Sequence, residues 1–231
     1  MRLTLADTRQ ADSLASRLQR ARLRQFIEVL PLGKPTQILD IGGTIDYWDA
    51  NWNEVPDNVS LTIVNLIPQK VRGGLRILSI TGDARHLGFG DGQFDHCFCN
   101  SVIEHVGTLA DQCAVAKGVR RIARGYFVQT PYRYFPLEPH FHVPLWAQMP
   151  LWLRTALHQR VDLGWMRAQP DYLNAWADVE QVRLLSIREM HLLFPDAELR
   201  RERIAGLVKS IMAVRLPLCP TSPEHGLSAT A

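Results

Sequence analysis

The run Gln37-Ile38-Leu39-Asp40-Ile41 leads straight into Gly42-Gly43-Thr44. A short apolar stretch that ends in glycines predicts a buried strand entering a tight turn, with a helix start beyond it. Bare backbone at such a turn lets a ligand approach closely, and the helix N–H groups point at it. A pyrophosphate-binding turn wants G-x-G-x-x-G, and the third glycine is missing here. The strand-end acid Asp40 suits a ligand that carries positive charge. Two adjacent glycines after a strand are common, so the turn on its own is shared by several nucleotide-binding folds.

The rest of the chain fits one α/β domain. Thr8 to Leu30 carries apolar residues at helical spacing (Leu14, Leu18, Ala21, Phe26, Val29, Leu30) and is stopped by Pro31, Gly33 and Pro35. Further strands are expected at Ser60–Leu66, Leu75–Ile80, Phe94–Asn100 and Gly125–Gln129, with a helix over Asp111–Arg124. Strands separated by helix-length segments predict a Rossmann-like, doubly wound, mostly parallel sheet. Ser186, with Glu189 three residues on, predicts a capped helix to Phe194. Glu198–Ala205 and Leu207–Leu216 read as a C-terminal antiparallel hairpin turning at Gly206. The expected organisation is an N-terminal helix over 1–35, a domain over 36–216 and a disordered tail over 217–231.

An aromatic-rich insertion of about 131–185 interrupts this pattern after the fifth strand. Trp146, Trp152, Trp165 and Trp176, with Met149, Leu151 and Leu153, read first as a small core packed on the sheet. A lid, a dimer face or an interfacial helix with Arg154 and Arg160 are the competing readings.

Composition removes several classes. With 231 residues, 46% of them hydrophobic, the chain can bury a full core. The net charge of +3 is dispersed, and Arg17, Arg20, Arg22 and Arg24 read as a solvated helix face rather than a nucleic-acid footprint. Cys97, Cys99, Cys113 and Cys219 form no C-x-x-C pair and read as reduced thiols of a cytoplasmic protein. The N-terminus lacks a signal-peptide core and no stretch reaches the roughly 20 apolar residues of a membrane span, which leaves peripheral membrane contact as the only expected membrane association.

A second motif decides between ligands. Thr81-Gly82-Asp83-Ala84-Arg85-His86-Leu87-Gly88-Phe89 runs through Phe94-Asp95 into the fourth strand, and then Asn100-Ser101-Val102-Ile103-Glu104-His105-Val106 follows. This order resembles the class I S-adenosylmethionine-dependent methyltransferases of small-molecule type. Their motifs read G-D-A-x-x-L-P-F, F-D, a strand and then an E-H-V helix start. With Ile38 to Gly43 the resemblance spans roughly 36–130. Each motif is loose alone; three in order are specific.

The resemblance implies S-adenosylmethionine as cofactor. Asp40, Gly42, Gly43 and Thr44 would surround its amino-acid end, and Asn65 would face the ribose hydroxyls. Asp83 and Ala84 would hold the adenine, while Asn100 and Ser101 would line the floor near the methionine part. Two positions depart from the family pattern: Thr44 stands where glycine is usual, and Asn65 where an acid is usual. An amide forfeits the charge-assisted bidentate acceptor.

Methyl transfer is an in-line displacement, so positioning supplies much of the acceleration, and the remaining task is removing the acceptor's proton. His105, just past the fourth strand, is one candidate base, against a structural helix-start histidine. Glu104 is expected to pair with backbone amides at that helix start. His140 and His142 are further candidates, with Tyr132 and Glu138 as acceptor contacts. Glu138, His140 and His142 alternate and would share one face of an extended segment, yet three ligands without a supporting cluster predict no metal site. The expected activity is methyl transfer to an oxygen, less readily a nitrogen or carbon, of a small-molecule, glycan or lipid-linked acceptor. Nucleic acid is not expected as a partner, since no N-P-P-Y-type motif follows the fourth strand. A methyltransferase-like binding module without turnover is the alternative, and a nicotinamide oxidoreductase a distant third.

Overall fold

The computed structural model describes residues 14–30, 34–71, 76–164 and 166–217. Seven strands form one sheet in the order β3-β2-β1-β4-β5-β7-β6. They are β1 (Thr36–Ile41), β2 (Val59–Asn65), β3 (Ile77–Thr81), β4 (Phe94–Asn100), β5 (Ala123–Pro131), β6 (Glu198–Ile204) and β7 (Leu207–Arg215). The first five pair in parallel, and β7 lies antiparallel to both β5 and β6. The expected hairpin turns at Ala205 and Gly206, both at positive φ.

Strand alternation feeds two separate cores. Cys97 and Cys99 of β4 and Tyr126 and Val128 of β5 face one side, where α3 (Leu109–Ile122) and α6 (Ile187–Leu193) cover them with Val115, Val119, Met190 and Leu193. Phe98 and Phe127 face the other side, under α1 (Leu14–Ile27) and α2 (Ile45–Asn51) through Leu23, Phe26 and Trp48. The Phe26 and Phe98 ring centroids lie 4.9 Å apart. Helices on both faces make the sheet doubly wound, and both α3 and α6 start with capping boxes, Thr108 with Asp111 and Ser186 with Glu189.

Two crossovers differ from expectation. Among the described residues no helix links β2 to β3 or β3 to β4. Pro68 in the first segment and Gly82, Gly88, Gly90 and Gly92 in the second leave no apolar period to bury. The insertion builds a small core of its own. Phe141 stacks on Trp146 at 4.4 Å, beside Leu163 and Val179, with α4 (Leu151–His158) and α5 (Tyr172–Glu180) packed together. Trp152 is 63% exposed. Trp165, Cys219 and the expected tail from 218 onward lie outside the described residues. No helix among those described is long and apolar enough to cross a membrane.

The solvated-face reading of the α1 arginines fails at Arg22, which is 4% exposed. Its guanidinium bonds Glu202 through Nε (3.0 Å) and Nη2 (2.6 Å), and reaches Asn100 Oδ1 (3.3 Å) and Ser210 Oγ (3.2 Å). Arg22 lies four residues from both Leu18 and Phe26, so helical spacing puts it on the buried stripe. It ties α1 to the end of β4 and to β6 and β7.

Candidate active site

The strand order reverses between β1 and β4, and the crevice beyond their carboxyl ends is where open α/β sheets bind ligands. Gly42 leaves β1 at φ +77° with its N–H on Val64 O. A Cβ there would fall 2.5 Å from a Val102 methyl, and one on Gly43 would fall 1.7 Å from Asp40 Oδ2. Both glycines are sterically required. Thr44 is extended and caps α2, its side chain accepting from Tyr47 N at 3.3 Å. Where the family pattern has glycine, Thr44 thus adds a side-chain cap that glycine lacks.

Asn65 explains the second departure. Its amide donates to Gly42 O (3.2 Å) and Gly43 O (2.9 Å), and its Oδ1 accepts from Ile67 N. A carboxylate could not donate to those carbonyls. Both amide hydrogens hold the glycine turn, while Asn65 also borders the larger cavity.

Two cavities meet at Gly42. The larger, about 450 Å³, is bounded by Asn65, Asp83, Ala84, Ser101 and His105. The smaller, about 150 Å³, is bounded by Asp40, Gly43, Thr44 and Asn100, with Gln19 of α1 above them. All nine residues expected around the cofactor line one or the other. Asp40 is buried and accepts from Trp48 Nε1 at 2.5 Å. Burial pushes its carboxyl up to about 7, against the pull of that hydrogen bond. Asp83 is forked by Arg85 (2.6 and 2.9 Å), whose hydrogen bonds hold it down at about 2. Ser101, at φ +56°, donates to Gln129 Oε1 at 2.8 Å.

A histidine–carboxylate cluster extends from His105, which lines the larger cavity. His105 Nε2 meets His140 Nε2 at 3.1 Å, and His140 Nδ1 meets Glu138 Oε1 at 2.5 Å. Glu138 is buried, its Oε2 accepting the N–H of His140 (2.7 Å) and of Phe141 (2.6 Å). Partial burial pulls His140 down, but the hydrogen bond and charge of Glu138 outweigh it and leave His140 raised. Desolvation, with the adjacent His140, lowers His105 to about 4.

Three expectations change in this region. The segment is a turn, not a strand: His142 N–H bonds Glu138 O at 2.9 Å and His142 sits at φ +55°. Glu138 and His140 therefore meet, while His142 does not join them and His105 takes its place. Glu104 pairs with no run of backbone amides; it is fully buried and accepts from Thr130 Oγ1 at 3.0 Å. Burial pushes it up to about 7. Tyr132 packs on the sheet core beside Tyr134, while Glu138 borders a further cavity of about 190 Å³ with Arg133, Trp146 and Arg154.

The strand order, with β7 antiparallel in sixth place, and a glycine turn at the β1/β4 switch point decide the fold. This is the class I, S-adenosylmethionine-dependent methyltransferase fold. Residues 58–127 match the methyltransferase domain family. No curated protein matches the chain by sequence. Among solved structures, a protein of Pyrococcus horikoshii superposes with a TM-score of 0.52 at 15% identity, covering 90% of this chain and 93% of that one. An Anabaena variabilis protein described as a methyltransferase from an antibiotic biosynthesis pathway gives 0.50 at 15% identity, covering 80% of this chain and 64% of that one. Phosphoethanolamine N-methyltransferase 2 of Haemonchus contortus, solved with S-adenosylmethionine, gives 0.51 at 12% identity over 79% of this chain and 38% of its own length. The chain thus spans under two thirds of two of these three structures. Of the methyltransferase domain match, β2, β3, β4, α3 and the start of β5 are covered, and the glycine turn lies just before it.

Proposed function

We propose that the protein transfers the methyl group of S-adenosylmethionine to an oxygen, less readily a nitrogen or carbon, of a small-molecule, glycan or lipid-linked acceptor. The observation that carries this reading is the lining of the larger cavity, which brings Gly42, Asp83 and Ala84 together with His105. A cofactor seated there would have its reactive end within reach of the histidine cluster.

The residues present fit the cofactor. Gly42 and Gly43 leave bare backbone where any Cβ would collide. Asp40 offers a carboxylate to the ammonium end, and Asp83 retains lone pairs beyond the Arg85 fork for the adenine amine. S-adenosylmethionine supplies a methyl carbon already activated on a sulfonium. Beside it, the Glu104–His105–His140 cluster would hold the acceptor and take up its proton. The 36–216 region is the catalytic unit in this reading, and the insertion over about 131–185 reads the acceptor.

Calorimetry with S-adenosylmethionine, followed by a methyl-transfer screen on cell extracts, tests the proposal. Binding together with a labelled product supports it. Binding without transfer to any extract component favours a binding module, and absence of binding at millimolar cofactor sinks the enzyme reading. His105→Ala should depress turnover by roughly 10²–10⁴ with cofactor affinity intact.

A further inference from the structure

We propose that Glu104, His105 and His140 form a binding site for one divalent transition-metal ion at the rim of the cofactor cavity. One ligand atom from each lies within 4.8 Å of the other two. The two imidazole Nε2 atoms face each other at 3.1 Å. Metal–nitrogen bonds of about 2.0–2.1 Å set neighbouring ligand nitrogens roughly 3–3.4 Å apart, so this spacing is what two histidines on one ion require.

The outer contacts select the same atoms. Glu138 accepts at His140 Nδ1, which fixes the proton there and turns the Nε2 lone pair toward His105. Thr130 donates to Glu104 Oε2 and orients that carboxylate. The other oxygen, Oε1, is buried and has no hydrogen-bond partner among the described residues. Metal-binding histidines regularly hand their second nitrogen to a carboxylate, and metal-binding carboxylates are themselves hydrogen-bonded. Both supports stand here in one cluster.

Charge points the same way. Glu104 and Glu138 are both buried carboxylates beside the two histidines. A dication would balance the two carboxylates. Two imidazoles and one carboxylate leave an open coordination position, the ligand set of catalytic zinc and of non-haem iron(II) sites. The site deepens the methyl-transfer reading and rests on it for its consequence: with both imidazoles on the ion, the ion takes over from a free His105, and an acceptor hydroxyl in the open position would lose its proton to solvent water near neutral pH.

The test uses the full chain, stripped of metal by a chelator and titrated with Zn²⁺ alone against a chromophoric competitor. Co²⁺ loading is read by visible absorption. One equivalent is expected, lost in His105→Ala and His140→Ala, weakened about 10–100-fold in Glu138→Gln and unchanged in His191→Ala, which alters an exposed residue of α6. Thermal melts of the metal-free variants restrict the comparison to folded protein. Should a histidine variant not fold, Glu104→Gln carries the test, and full Zn²⁺ affinity in it overturns the site. The proposal also falls if the wild type takes up no Zn²⁺ at micromolar concentration, or if uptake survives both histidine variants. S-adenosylmethionine calorimetry on the same samples separates the readings: cofactor binding without metal uptake sinks only the metal site, and metal uptake without cofactor binding sinks only the transferase.

Discussion

The side-chain amide of Asn65 donates to the carbonyls of both Gly42 and Gly43, at 3.2 and 2.9 Å. The end of β2 therefore holds the turn that leaves β1. Replacing Asn65 by Asp keeps the shape but removes both donors and sets a carboxylate against two carbonyl oxygens. Asn65→Asp should lower unfolding stability by about 1–3 kcal/mol and weaken cofactor binding with it, measured by urea denaturation and calorimetry. A variant as stable as wild type would show that the amide does not hold the turn.

Arg22 and Glu202 form a bidentate pair with side chains only 4% and 12% exposed. Breaking one side of a buried pair strands the other charge, at about 3–5 kcal/mol. Arg22→Ala should show a loss of that order. Arg22→Lys should recover little, because an ammonium cannot reproduce the fork to Glu202 and the contacts to Asn100 and Ser210 together. Denaturation midpoints of the two variants check this, and full rescue by lysine would contradict it.

Asp40 gives a pH dependence with a defined sign. Its carboxyl is raised to about 7 in the folded chain by burial, against about 3.9 unfolded. Between these values the folded state holds the proton and the unfolded state does not. The contribution is therefore full below about pH 4 and is lost as pH rises through 7. Asp40→Asn, which still accepts from Trp48, removes this dependence. Wild-type stability relative to that variant should fall between pH 4.5 and 7.5, and a constant difference would show that Asp40 does not titrate there.

The sheet and the residues that line the two cavities are legible because both rest on local pattern. Strand runs with β-branched and aromatic residues, glycines at a strand end and the Ser186–Glu189 capping box all appear within short windows of sequence. The charge of Arg22 masks its place on the buried stripe, although Leu18 and Phe26 bracket it at four-residue spacing. His142 was misplaced because alternation presupposes an extended chain, and Glu138 instead bonds the amides of His140 and Phe141 and bends the segment into a turn. That His105 would meet His140, 35 residues away, depends on tertiary packing that no periodicity encodes. Asn65 was seen as a departure, yet its reason lies in carbonyls 22 and 23 residues earlier.

Calorimetric titration of S-adenosylmethionine into wild type, Asp83→Ala and Gly43→Ala tests the central claim most directly. The wild type should bind, Asp83→Ala should bind about 1–3 kcal/mol more weakly, and Gly43→Ala should lose binding, because its Cβ would strike the Asp40 carboxylate. No wild-type binding at millimolar cofactor, or unchanged affinity in both variants, would contradict the account.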